Sequence, residues 1–317
     1  MARRIPLTYP TLMGLPVGVL SDLRPGQVCV LGAAEATPYD PAEASHSAGA
    51  PGAIRAASRL FAGQLKQHDF DLGATLVTPD RPIEAIGIDV GDVRTRPGDA
   101  KGNRARIRDA VAQALTAGAV PLVLGGDDSV PIPVIAGFAG TGDVTVVQVD
   151  AHVDWADVIR GEAQGYGSPM RRASELPHVT GMVQIGIRGL GSGEAWQHHD
   201  ARGWGSRLVG SREWHRRGAD AVLDEHLPAG ARVVLSIDLD GLDPAVFPAV
   251  AMPTPGGLTY EDVLDLMHGL AARGTLAGAV LAEYVPERDD ALRGSALVAA
   301  RIAAVAVGLM AGAKQPS

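Results

Sequence analysis

Cysteine is nearly missing from this chain of 317 residues: there is one, Cys29. An internal disulfide framework is thereby excluded. Cys29 sits in the apolar run Val28-Cys29-Val30-Leu31, where its expected role is that of a buried small hydrophobe. Aromatic residues are also scarce at 4 %, so a core must come from Ala, Val, Leu and Ile, for which the 46 % hydrophobic content is ample. Positive charge is not in excess either. The net charge of −8 argues against nucleic acid or an anionic membrane surface as a partner. No apolar run is long enough to cross a bilayer, and Arg3 and Arg4 are followed by no signal-like apolar stretch. A cytoplasmic location is the expectation.

What is present is an alternation of two patterns. Apolar, β-branched runs predict strands at Val28 to Ala33, Glu84 to Ile88, Val120 to Leu124, Val144 to Val149, Val183 to Ile187, Arg232 to Ile237 and Ala277 to Ala282. Helical patterns fall at about 51–65, 103–117, 130–138, 213–225, 259–273 and 291–312. Strands that are apolar on both faces, separated by helices, give a largely parallel α/β/α sandwich. No repeat or linker divides the chain, so residues 1–317 read as one domain. The last helical segment is almost wholly apolar and is expected to be buried, in part against another subunit. Stretches 34–50 and 155–175 lack periodicity and each follows a strand. They are the expected substrate-covering loops, because ligands in open α/β sheets bind beyond strand carboxyl ends.

Three acidic clusters close apolar runs: Gly125-Gly126-Asp127-Asp128-Ser129, Asp150-Ala151-His152-Val153-Asp154 and Ser236-Ile237-Asp238-Leu239-Asp240. In an extended strand, residues i, i+2 and i+4 share a face. Asp150, His152 and Asp154 can therefore converge, as can Asp238 and Asp240. Carboxylates gathered so closely repel unless divalent cations neutralise them. Carboxylate oxygens with one imidazole suit a hard to borderline ion such as Mn²⁺ rather than a thiolate zinc site. Two such ions sharing a water make hydroxide available at neutral pH. The pattern is that of a two-metal hydrolase.

These motifs resemble the ureohydrolase family, which includes arginase, agmatinase, guanidinobutyrase and proclavaminate amidinohydrolase. The matching signatures are Asp-Ala-His-Xaa-Asp at 150–154, Ser-Ile-Asp-Leu-Asp-Gly-Leu-Asp-Pro at 236–244 and Pro-Gly-Gly-Leu-Thr at 255–259. Weaker echoes are Gly91-Asp92-Val93, Gly186-Ile187-Arg188-Gly189 and Ile54-Arg55. The resemblance implies a three-layer α/β/α fold with a mostly parallel eight-stranded sheet and two Mn²⁺ per subunit. It implies that Asp150 and Asp238 bridge the ions, that His152 and Asp240 complete one shell, and that Asp154 binds the other ion and orients the nucleophile. Glu283, in Ala282-Glu283-Tyr284-Val285-Pro286, resembles the carboxylate that holds a substrate guanidinium; read alone, it is a surface Glu after a strand. Trimers or hexamers are the implied assemblies.

Two positions depart from the family pattern. Where the family has Gly-Gly-Asp-His-Ser, with the His on a metal, this chain has Asp128. By itself Asp128 could equally cap the helix that follows. As a ligand it brings extra negative charge, so the expectation is a functional but altered centre. The second departure is Gly165-Tyr166-Gly167-Ser168-Pro169-Met170-Arg171-Arg172, where arginases and many agmatinases carry a His-Gly element whose His assists proton transfer. Tyr166 can take over a hydrogen-bonding role, but an unperturbed pKa of about 10 makes it a poor base at neutral pH. Arg171 and Arg172 are expected to begin a helix and pair with acidic neighbours such as Glu175, although they could instead fork a substrate carboxylate. Trp155 is expected to wall the pocket, Met170, Trp204 and Trp214 to pack, and His198-His199 to form a solvated loop pair.

The expected activity is hydrolysis of a small cationic guanidino compound to urea and an amine, with agmatine slightly ahead of guanidinobutyrate. Asp154, Glu283 and Tyr166 are the candidate catalytic residues. Asp128, Asp150, His152, Asp154, Asp238 and Asp240 are the candidate metal ligands. Two rivals stay open. One is a single-zinc amidohydrolase like the acetylpolyamine deacetylases, against which the lack of a paired-His motif before a strand-end cluster counts. The other is a non-catalytic relative acting as a binding subunit.

Overall fold

A computed structural model describes residues 10–312. Its strands are β1 Val28–Ala33, β2 His68–Asp69, β3 Ala74–Thr75, β4 Gly87–Asp92, β5 Val120–Gly125, β6 Val144–Val149, β7 Val179–Ile187, β8 Arg207–Gly210, β9 Arg232–Asp238 and β10 Thr275–Ala282. β2 and β3 make a small antiparallel hairpin. The other eight form one sheet in the order β4-β1-β5-β10-β9-β6-β7-β8, and every pairing in it is parallel.

Helices cover both faces because the strands present apolar side chains to each. Val28 and Val30 of β1 and Val147 and Val149 of β6 join one core with helices Ala50–Ser58, Ser211–His226, Tyr260–Arg273 and Gly294–Met310. Cys29 and Leu31, with Val144 and Val146, face the other core with Ala100–Thr116, Pro131–Ala136, Pro169–Ser174 and Ala195–Trp204. This is the expected three-layer sandwich, and Cys29 is buried within it. The last helix packs on Ala50–Ser58, Tyr260–Arg273 and β10 of its own chain. Most of its side chains are buried by these contacts, while Val298, Leu309 and Met310 are half-buried.

Several expected boundaries shift for identifiable reasons. Residues 84–86 lie in a helical turn, Ile83–Ile86, and the strand starts at Gly87. Asp89 and Asp92 hid that strand: both accept from the buried Arg55, whose Nε lies 2.8 Å from Asp89 and whose Nη1 lies 2.5 Å from Asp92. The helix expected at 51–65 ends at Ser58 and gives way to a turn and the short 3₁₀ segment Ala62–Gln64. Helix Ala100–Thr116 begins three residues early because Asp99 caps it, accepting from Gly102 N–H. A capping box of Thr259 and Asp262 starts the helix Tyr260–Arg273. Strand β8 and helices Pro169–Ser174 and Ala195–Trp204 had no clear periodic signal. His198 and His199 are therefore helical, although exposed. Among the described residues no helix is long and apolar enough to cross a membrane.

Candidate metal centre

The sheet order sets β5, β10, β9 and β6 side by side. Their carboxyl ends carry, in turn, Asp127 and Asp128, Glu283, Asp238 and Asp240, and Asp150 to Asp154. Registers such as Ala282 opposite Asp238 and Val149 opposite Ile237 keep the ends level. Close backbone approach helps: a Cβ on Gly241 would lie 2.8 Å from Asp150 N, so a side chain there would push the two clusters apart.

The convergence is real, but it is not the pleat that produces it. β6 stops at Val149, residues 150–154 are irregular, and Asp154 has a φ of 49°. Asp240 lies in a 3₁₀ turn, Leu239–Gly241. Backbone amides then fix the carboxylates. His152 N–H donates to Asp150 Oδ1 (2.6 Å), Asp240 N–H to Asp238 Oδ1 (2.7 Å), Ala151 N–H to Asp240 Oδ1 (3.2 Å) and Asp128 N–H to Glu283 Oε1 (2.9 Å). Glu283 also has a positive φ, 66°. Two of the sites where chemistry is expected thus hold left-handed backbone, a conformation that needs support from its surroundings.

Donor atoms fall into two groups, Asp128–Asp150–Asp154 and Asp150–His152–Asp240, each with its atoms within 4.8 Å of one another. Asp150 is common to both. Asp238 lines the same cavity, outside either group. His152 Nδ1 lies 3.2 Å from Asp150 Oδ1 and 3.1 Å from Asp240 Oδ2. Burial, and then repulsion from neighbouring carboxylates, holds Asp128, Asp150 and Asp238 well above the usual carboxylate range. Burial works against a charged His152, but the hydrogen bond to and charge of Asp240 overcome it and push its pKa up to about 9. Both carboxylate oxygens of Asp128 are buried without a hydrogen-bond partner. Such groups demand compensation. Carboxylates and an imidazole at this spacing suit a pair of hard to borderline divalent cations.

The cavity of about 610 Å³ above these groups is lined by both expected loops, through His46 from one and Trp155, Ala156, Ile159, Tyr166 and Gly167 from the other. Tyr39 joins them, its hydroxyl accepting from Gly167 N–H (3.1 Å). Glu283 reaches the cavity and takes His46 Nε2 at 2.6 Å. Tyr166 is on the wall, edge-on to His46 with ring centres 5.5 Å apart, and burial, then the Glu283 charge, raises its pKa.

A model of the arginase family matches residues 28–308. The chain belongs to the arginase family. Arginase 1, mitochondrial, of Arabidopsis thaliana is 35 % identical over 188 residues, 57 % of this chain and 52 % of that protein, so the match spans about half the plant enzyme. Agmatinase, mitochondrial, of Gallus gallus is 32 % identical over 292 residues, covering 86 % of this chain and 81 % of that protein. Proclavaminate amidino hydrolase from Streptomyces clavuligerus superposes with a TM-score of 0.79 at 28 % identity, over 97 % of this chain and 98 % of that one.

The weaker motif echoes of this arginase-family chain have structural roles. Arg188 brackets the metal-side turn: its guanidinium donates to the carbonyls of Asp240 (2.8 Å), Gly241 (3.0 Å), Leu242 (3.0 Å) and Thr254 (3.0 Å). Asp243 Oδ2 accepts from Gly256 and Gly257 N–H, tying the 255–259 motif to the same turn. Arg171 and Arg172 do pair with acids, Asp200, Asp157 and Glu175, and neither lines the cavity. Met170 and Trp214 are buried and Trp204 half-buried, while Trp155 walls the cavity.

Three contributors escaped sequence reasoning. His46 is an isolated histidine in a small-residue loop, with no local pattern to mark it. Gln148 and Gln184, both fully buried, form an amide chain beneath the candidate ligands. Gln148 Nε2 donates to Asp150 Oδ2 (2.6 Å) and Asp154 Oδ2 (2.8 Å), and Gln184 Nε2 donates to Gln148 Oε1 (2.6 Å) and to the Val153 carbonyl (2.8 Å). Every amide hydrogen of both side chains is used, which fixes their orientation. A polar Gln inside an apolar β6, two residues before Asp150, was the available signal.

Proposed function

We propose that this protein hydrolyses a guanidino compound to urea and an amine at a binuclear divalent-metal site, with Mn²⁺ as the working ion. The observation that carries the reading is the pair of ligand groups sharing Asp150, set beside a buried, forward-facing Glu283 in one cavity. Asp128, Asp150, His152, Asp154, Asp238 and Asp240 would hold the ions, Asp128 standing where relatives have a histidine. The two orphaned oxygens of Asp128 fit that role. When bound, such a metal pair supplies a nucleophile from water at neutral pH.

The chain's own residues supply the rest. Glu283 offers a carboxylate to the cationic guanidinium and orients its carbon toward the ligand groups. Asp154, held by Gln148, would orient the attacking water through its carboxylate. Tyr166 closes the wall beside Glu283, with its phenol kept neutral by its raised pKa. Trp155, Ala156 and Ile159 give the substrate's aliphatic stem an apolar surface. Among the described residues lining the cavity none is a lysine or arginine, whereas Glu194 lies on its wall. That favours an amine-tailed substrate such as agmatine over a guanidino acid. The test is urea release by the Mn²⁺-loaded protein from agmatine, arginine, guanidinobutyrate and guanidinopropionate. Agmatine should give the highest kcat/KM; urea from none of them would refute the activity, and preference for the acids would refute the tail assignment.

A further inference from the structure

Breaking the bond between a guanidinium carbon and its substituted nitrogen leaves an amine that must be protonated as it departs. Overall, water's oxygen becomes the carbonyl oxygen of urea, and both of water's hydrogens finish on R–NH₃⁺. Some group must carry a proton to that nitrogen. The cavity wall offers few choices. His152 faces Asp150 and Asp240 as a candidate ligand. The Tyr166 phenol titrates above its ordinary range. Glu194 is on the exposed rim. His46 remains.

We infer that His46 is the general acid that protonates the leaving amine, held in place by Glu283. Its Nε2 is 2.6 Å from Glu283 Oε2, the carboxylate assigned above to the guanidinium. A nitrogen hydrogen-bonded to that carboxylate is therefore brought next to the imidazole. The ring is one-third exposed on its side chain, open to the cavity, whereas Glu283 is 8 % exposed. Tyr166 stacks edge-on against the ring and limits its rotation. Burial pulls the His46 pKa down, but the hydrogen bond to and charge of Glu283, with Asp127 adding, outweigh this and Arg288's opposing charge; the net direction is up. The Glu283 partner thus favours the protonated imidazole. A substrate cation arriving at Glu283 weakens that carboxylate's hold and readies the proton for transfer. The imidazole then recovers a proton released from the attacking water, which closes the balance.

The inference rests on the hydrolase reading, and one set of assays separates them. Wild type, His46→Ala and His46→Asn, each loaded with Mn²⁺, are compared on agmatine and on an arylguanidine, whose weakly basic aniline leaves with little help. Loss of a general acid lowers kcat by about 10²–10⁴-fold. We expect a loss in that range on agmatine with KM nearly unchanged, less than roughly a tenth of that loss on the arylguanidine, and partial rescue by added imidazole. The wild-type rate should fall as pH rises through the His46 pKa, and this limb should vanish in both variants. Metal content should be unaltered. Wild-type kcat in His46→Asn, or equal losses on both substrates without rescue, would overturn the assignment while leaving the hydrolase standing. No urea from wild type on either substrate would overturn the hydrolase reading, and the assignment with it.

Discussion

Without metal, this protein should lose stability as pH rises, and bound metal should oppose that loss. Asp128, Asp150 and Asp238 have folded pKa values raised above their unfolded ones, chiefly by burial and then by one another. For such an acid the folded state resists giving up its proton. Without metal, each group therefore begins to destabilise the fold as pH rises past the unfolded carboxylate value of about 3.9, and continues to do so until the folded pKa is passed. The slope is at most about 1.4 kcal/mol per pH unit for each group. His152 acts in the same direction over a later window. Its pKa is raised to about 9, so its contribution is complete below its unfolded pKa and is lost between about 6.5 and 9. Bound cations need the deprotonated forms, so they oppose this trend. At a free metal concentration of one hundred times Kd, each ion adds about 2.7 kcal/mol, roughly 5 kcal/mol for two. For a chain of 317 residues, with about 2.1 cal/mol/K of unfolding entropy per residue, that is a Tm difference of about 8 °C. Thermal unfolding of chelator-treated and Mn²⁺-loaded protein between pH 5 and 8 reads it directly. Metal-free Tm should fall across the range and the gap between the two forms should widen. A metal-free Tm that is flat or rises from pH 5 to 7, or no gap at pH 7, would refute the argument.

Glu283→Gln keeps the shape and removes the charge; the loss of a charged hydrogen bond, about 1.5–3 kcal/mol, should cut kcat/KM for agmatine roughly 10–100-fold, and an unchanged value in steady-state assays would dismiss Glu283 as the anchor. Gln148→Leu strips donors from Asp150 and Asp154 and leaves one amide hydrogen of Gln184 without its acceptor, so Mn²⁺ affinity should fall about 10–100-fold in direct titration; wild-type affinity would show the amide chain to be dispensable. Arg55→Met leaves Asp89 buried and uncompensated, which should destabilise the fold by about 3–5 kcal/mol in denaturant melts, whereas less than about 1 kcal/mol would mean that water or rearrangement replaces the pair.

Much of the fold could be read from the chain because its central strands are apolar on both faces and most of its longer helices are not. Val144–Val149 and Arg232–Asp238 declare themselves as buried parallel strands. The misreadings lie where polar residues perform internal duties. Asp89 and Asp92 interrupt β4 because Arg55 needs them, and β8 spans four residues at the sheet edge. For the site, the candidate Asp and His ligands could be picked out because they cluster locally at strand ends. The irregular backbone that unites them was not, since the left-handed turn at Asp154 and the 3₁₀ turn at Asp240 depend on contacts made across the sheet. His46 was hidden for the same reason. Its partner Glu283 is 237 residues away, and only the side-by-side placement of the strand ends makes them neighbours.

Metal content offers the plainest trial of the centre, because the two ligand groups share one residue. Mn²⁺-loaded wild type should carry two ions per chain by elemental analysis, Asp240→Ala about one, and Asp150→Ala essentially none. Wild-type protein that binds no ion, or Asp150→Ala that keeps both, would contradict the account at its root.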